Sequence, residues 1–303
     1  MRFAVEPWDP AYGAPAELGA DEPAGPIDPE IEVRSADWRP RRPEGDRAES
    51  VVFVDGVRRV DANVWVIEEE ESVLGVCASY AAGAVLCSDR ADVVAVEVRR
   101  GMFSSAASAQ TIVTGRATYQ VHATAGSSPE ELWLGIQQRM GELERDLPIP
   151  EAGLTVVDSP LTGRSSLPGA VGYVKTHRVH YLPPPLRPVL GQLLPGERTP
   201  LFLTTTSWSR YSWYLRLPGA EEAPMSGIVR LEVSPDVSPG TASTLADLAS
   251  VTLPRFASGR HKDPRAPQNL YPVGGLERYL RRRLGDRDLL FRALRTTATL
   301  GAR

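Results

Sequence analysis

The hydrophobic pattern first becomes regular at Val51. Four strand-favouring residues, Val51-Val52-Phe53-Val54, run into Asp55-Gly56 and then Val57-Arg58-Arg59. A buried strand ending in Asp-Gly puts a carboxylate at a sheet rim, where backbone can approach closely. The same dipeptide is an ordinary hairpin signal, so Asp55 reads either as a turn residue or as a metal ligand. Val60, Ala62, Val64 and Val66 continue the alternation, and Glu68 to Glu71 mark a solvated turn. Val73–Ser79, Ala84–Ser88 and Val93–Val98 read as further strands, whose brief connections imply an antiparallel meander. Cys77 and Cys87 are symmetric about Ala82, which suggests that they oppose each other across a hairpin as small buried thiols.

The period then changes. Thr111 to Ala125 is ambiguous, but Ser128-Pro129-Glu130-Glu131 is a helix start, with a capping serine, a proline in the first turn and early acids. The helix is expected to reach about Leu147 before Pro148 and Pro150, with Trp133, Ile136, Met140, Leu143 and Leu147 as its apolar stripe. At about 100° per residue Glu144 falls beside that stripe, while Glu131 and Glu142 lie opposite. Leu154-Thr155-Val156-Val157 is a second buried run ending in an aspartate, Asp158. Gly169 to Arg178 reads as a strand entering a basic cluster. Further strands follow at Thr199–Leu203, Ser207–Leu217 and Ile228–Val233, then helices at 241–256, 275–284 and 286–294. A meander, a helix and more strands predict an α/β (α+β) domain flanked by helices.

Composition limits the classes without choosing among them. The 303 residues are 42% hydrophobic and 24% charged, ordinary values for a globular protein. Residues 1–49 are rich in Pro, Ala and acids and lack periodicity, so they read as an extended arm, with Trp8 and Trp38 able to pin it. Residues 50–303 then form one domain. No run approaches the roughly 18 apolar residues of a membrane span, and the N-terminal residues lack a signal-peptide pattern, so the expected location is cytoplasmic. Two cysteines make no disulfide framework, and no Cys/His cluster suits zinc. The net charge of −4 hides an arginine-rich tail after residue 255, which hints at a polyanion partner.

The candidate chemistry gathers on the two strand-ending aspartates. Carboxylates brought together repel unless a cation neutralises them, and hard oxygen ligands suit Mg²⁺ or Mn²⁺. The alternative is that Asp55 and Asp158 are turn residues on different edges. Glu144 is the one helical acid able to join them. Lys175, His177 and Arg178, next along the chain, would suit a phosphate backbone or a plain cationic strand end. Trp208 to Arg216 interleaves aromatics with arginines, as either a stacking platform for single strands or a packed strand. No Walker A loop, GxGxxG or GxSxG is present.

Phe53-Val54-Asp55-Gly56-Val57-Arg58-Arg59, Val156-Val157-Asp158-Ser159-Pro160-Leu161, Gly172-Tyr173-Val174-Lys175-Thr176-His177 and the late block Asn269-Leu270-Tyr271-Pro272 resemble, in order, the motifs of the NurA nuclease family. The resemblance covers about residues 51 to 285. It implies a ribonuclease H-like mixed sheet and exo- or endonucleolytic DNA cleavage with one or two Mn²⁺ or Mg²⁺ ions. It also implies a homodimer working with a HerA-type hexameric ATPase that translocates DNA; no membrane partner is expected, given the lack of a long apolar run. Carried over by residue, Asp55, Glu144 and Asp158 match the metal ligands, Lys175 the lysine after the second aspartate, and Tyr271 the C-terminal tyrosine. Arg58, Arg59, His177 and Arg178 are further candidates for contacting nucleic acid. Tyr279 stands where the family often has histidine, with His261 or Glu277 as its replacement. The alternative function is a catalytically inactive DNA-binding adaptor of a translocase.

Overall fold

The computed structural model describes residues 16–21, 25–68, 71–161, 169–179, 181–206, 208–219, 223 and 225–301. Two short strands come first, β1 (Ala16–Asp21) and β2 (Ile27–Asp28). The run from Val51 then opens β3 (Val51–Ile67), followed by β4 (Ser72–Cys87) and β5 (Ala91–Ser104). β6 (Ile112–Val113) and β7 (Thr118–Ala123) lead to helix α1 (Pro129–Arg145). β8 (Leu154–Val157), β9 (Ala170–Val174) and β10 (His177–Val179) precede the short helix α2 (Val189–Gln192). β11 (Phe202–Thr205), β12 (Ser209–Arg216) and β13 (Ile228–Val233) lead to α3 (Pro239–Thr252), α4 (Tyr271–Arg283) and α5 (Arg287–Gly301).

Eleven strands form one mixed sheet in the order β2-β11-β12-β13-β9-β8-β3-β4-β5-β7-β6, with helices flanking it. The expected α/β character is therefore present. The meander differs in detail from the short strands read from the sequence. Asp55-Gly56 is not a turn, because β3 runs through it without a break. Nor does β4 fold back at Ala82, so Cys77 and Cys87 lie on one strand and are both buried and free. β4 is buried over most of its length, so it lacks the alternation that distinguishes a long strand from two short ones. After β3 the Glu68 amide donates to the Glu71 carbonyl, as the turn expected there requires, and after β4 the Ser88 amide donates to the Arg90 carbonyl.

The described residues divide into two compact units. The first comprises the residues up to Phe53 together with Leu86–Asp92 and Pro150–Gly274, and the second comprises Val54–Val85, Val93–Ile149 and Gly275–Arg303.

In the first unit, β11, β12, β13 and β9 are successive antiparallel neighbours, and β8 joins β9 in parallel. Phe202, Tyr214, Leu182, Val189, Leu193 and Ile228 form a core against which Trp38 and Ile27 pack. Trp38 thus pins residues of the acid-rich N-terminal stretch, as expected; Trp8 lies outside the described residues. Ala242, Ala246 and Ala249 of α3 are fully buried, small side chains that let the helix approach the sheet closely. The Trp208 to Arg216 segment is central strand rather than platform. Tyr211, Trp213 and Tyr214 are buried, and Arg210 pairs with Glu232 at 3.1 Å.

In the second unit, α1 begins with the expected capping box, in which the Ser128 hydroxyl accepts from the Glu131 amide and Glu131 accepts from the Ser128 amide. Its buried face is Leu132, Ile136, Met140, Leu143 and Glu144. Trp133, expected in that stripe, is half exposed and carries the Arg58 guanidinium over its ring, 4.2 Å from the centroid. Ala62, Cys77, Met102, Tyr119 and Leu294 form a second core.

Candidate functional site

β8 and β9 run parallel, with Val157 opposite Gly172, so both end at the same edge. Asp158 is the first residue past β8 and Lys175 the first past β9. Side chains just beyond the carboxyl ends of neighbouring parallel strands converge, and these two do. Lys175 Nζ lies 2.5 Å from Asp158 Oδ2, with both side chains largely buried. The ammonium also donates to Asn269 Oδ1 at 2.8 Å, and Asn269 Nδ2 donates to Asp263 Oδ2 at 2.7 Å.

The turn that carries Asp158 is held from below. The Leu161 amide donates to buried Glu232 Oε1 at 2.6 Å. Gly172 lets the turn lie flat on β9, because a Cβ there would meet Glu232 Cγ at 2.8 Å, Leu161 Cγ at 2.9 Å and the Ser159 carbonyl at 3.1 Å. Glu232 in turn takes a short hydrogen bond from Arg230 at 2.5 Å.

In the second unit, Asp55 is buried on β3 and accepts from the Gly56 amide at 2.8 Å. Glu144 is buried as its helical phase predicts. Its carboxylate lies directly against Gly56, where any Cβ would collide with it and would meet Met140 Cγ at 2.9 Å. Glycine is required there by close approach, not by a turn. Arg58 stands near both acids. Burial draws its pKa below the usual arginine value, against the opposing pull of the Glu144 and Asp55 charges. On α4, Leu276 and Leu280 pack towards Gly83 and leave Glu277 partly buried beside them.

Among the described residues, Asp55, Asp158 and Glu277 are candidate carboxylate ligands for a metal ion. Glu277, offered in place of the C-terminal histidine, is thus among the candidates, while Glu144 lies against Gly56, the neighbour of Asp55. Three carboxylates are hard oxygen donors, a donor set that fits Mg²⁺ or Mn²⁺ and not a thiophilic metal.

The other candidates are distributed differently. Arg59 is committed to buried Asp61 at 2.8 Å and to the Gly285 carbonyl at 2.8 Å. Asp61 also accepts from Tyr119 at 3.0 Å and from Ser79, which makes this a closed buried network. His177 is buried, 3.0 Å from the Ile228 carbonyl and against the Tyr214 ring, so it belongs to the core. The Arg178 side chain lies outside the described residues. His261 is exposed, with its ring beside Gly259. The Tyr271 hydroxyl accepts from the Gly259 amide at 3.0 Å, and its ring carries Lys262. The roles of Asn269, Asp263, Glu232 and Gly172 were not anticipated, because local composition does not reveal which distant side chain a residue will meet.

Comparison with family models finds no match for this chain, and comparison with curated proteins finds none either.

Proposed function

We propose that the chain is a divalent-cation-dependent DNA nuclease whose ion is held by Asp55, Asp158 and Glu277, with Lys175 contacting the phosphate. The observation that carries the reading is the largely buried pair of Asp158 and Lys175, an acid ligand and a phosphate-binding ammonium set side by side just past the ends of two parallel strands. The ordered motifs shared with the NurA nucleases support the same reading, and so does the pair of parallel strands that ends in Asp158 and Lys175. A ribonuclease H-like arrangement, a homodimer and a HerA-type translocase partner belong to this proposal on the strength of that resemblance.

A divalent ion, Mn²⁺ or Mg²⁺, supplies Lewis acidity towards water and the phosphoryl oxygens of an in-line displacement. The protein's own groups do the rest. The aspartates and Glu277 fix the ion relative to the backbone. The Lys175 ammonium stands where negative charge on the phosphoryl oxygens can be neutralised as it grows. Within the second unit, Glu144 and Arg58 stand close to Asp55 and give it a charged, partly buried setting.

The test is release of nucleotides from DNA in the presence of Mn²⁺. Wild type is expected to cleave, and Asp55→Asn and Asp158→Asn to fall by at least about 10²-fold while each still unfolds cooperatively. Cleavage that persists unchanged in the double variant would contradict the proposal. A second reading is favoured by one contact. Lys175 already neutralises Asp158, as in a DNA-binding adaptor that needs no ion. That adaptor would shift DNA in a gel, neither cleave it nor bind Mn²⁺.

A further inference from the structure

Of the 34 basic residues in the chain, only Lys175 and Lys262 are lysine. A protein that otherwise uses arginine has kept an ammonium at the edge beside Asp158. Lysine differs from arginine in being a compact point charge rather than a planar fork, so it can occupy a narrow gap between two acceptors. The gap here lies between Asp158 Oδ2 and Asn269 Oδ1.

Asn269 is fully buried, and its amide is polarised from behind. A carboxylate can only accept, so the Asp263 contact at 2.7 Å forces the Asn269 NH₂ group towards Asp263 and its oxygen towards Lys175. Asp263 is itself buried and oriented, its other oxygen accepting from the Arg265 amide at 2.8 Å. The backbone fixes the same register, with the Asn269 amide donating to the Arg265 carbonyl at 3.0 Å. On β9, the Tyr173 hydroxyl donates to the Gln268 carbonyl at 2.6 Å. Tyr173 lies in β9 and Lys175 just past its end, so this end of the strand grips Gln268 and Asn269 in turn.

We propose that Asn269, oriented by Asp263, is the positioning residue that holds the Lys175 ammonium on Asp158 for contact with a phosphate. Two of the three ammonium hydrogens are committed by these contacts, and the third is the one a phosphate oxygen would meet. The phosphate part of this inference rests on the nuclease reading; the positioning part does not.

Two measurements on the full-length protein test it. With only two lysines, ¹⁵Nζ-lysine labelling gives two ammonium signals, and Lys262→Arg assigns them. The Lys175 signal is expected to be sharp and slow to exchange in the wild type, lost in Asn269→Ala, and restored in the reciprocal swap Asp263→Asn with Asn269→Asp. That swap moves the donor from 269 to 263 and keeps an acceptor facing the ammonium. In DNA cleavage, Asn269→Ala is expected to lower kcat by about 10–100-fold when Lys175 is present, and to have no further effect in a Lys175→Ala background. An unchanged Lys175 signal in Asn269→Ala would overturn the inference, as would losses that multiply in the double variant. Should Asn269→Ala not fold, the swap decides alone, and must both fold and keep the signal. A wild type that never cleaves DNA overturns the nuclease reading, while the ammonium signal still decides the positioning.

Discussion

Lys175 and Asp158 meet because the strands that carry them, β9 and β8, are parallel and end together, which puts Nζ 2.5 Å from Oδ2. Sixteen intervening residues separate the pair in sequence, but one strand spacing of about 4.8 Å separates their strands in the sheet. Both side chains are mostly shielded from water, so the contact is not the weak surface type.

Replacing Lys175 should reduce catalysis more than folding. Lys175→Ala is expected to lower kcat about 10²-fold with a small change in KM. Lys175→Arg should not rescue it, because a planar guanidinium does not fit the gap between Asp158 and Asn269. Steady-state cleavage kinetics check this, and full activity in Lys175→Arg would contradict the geometric argument.

Gly172→Ala should disturb Asp158 from a distance. The new Cβ would press on Glu232, Leu161 and the Ser159 carbonyl, and the last, being backbone, cannot rotate away. Overpacking of this sort costs about 1–3 kcal/mol. Urea unfolding should show that loss, with cleavage falling alongside it.

Glu32 anchors the stretch before the first long strand. It forks with fully buried Arg198 at 2.7 Å and 2.9 Å, and Asp247 pairs with the same guanidinium at 2.7 Å. Burial alone would raise the Glu32 pKa, but the Arg198 hydrogen bonds and charge, the Ser243 hydroxyl and the Leu201 amide bring it down to about 2. A depressed carboxylate stabilises the fold fully above its unfolded value of 4.5, and the contribution is lost as pH falls towards about 2. Glu32→Gln should therefore destabilise by about 3 kcal/mol at neutral pH, since Arg198 keeps Asp247. It should also flatten the pH dependence of unfolding between those limits, which thermal melts across that range would reveal.

Burial pushes the Cys77 thiol up to about 12 and the Cys87 thiol to about 11. Neither should react appreciably with a disulfide reagent at about pH 8 in the native protein, and both should react after unfolding. Rapid native labelling would contradict the placement of β4.

How much of this was legible in the sequence differs by residue. The burial of Glu144 followed from helical phase alone, because α1 is regular and its spacing to Met140 and Leu147 is local. Asp158 followed from a buried run ending in an acid. Asp55-Gly56 misled, since its glycine serves the approach of Glu144 from 88 residues away and not a turn. Ala82 misled for a related reason: Gly83 sits under Leu276 and Leu280 of α4, so β4 passes straight through a stretch that looks like a hairpin. Asp263 gave no signal and Asn269 stood only as one member of a motif, because their importance lies in which side chain they meet.

The most direct measurement is calorimetric titration of Mn²⁺ into the purified protein. Wild type should give a saturable isotherm, and the variant carrying Asp55→Asn, Asp158→Asn and Glu277→Gln should give none while keeping a cooperative melt. A flat wild-type titration, or a variant that binds as the wild type does, would contradict the metal site on which the proposed function stands.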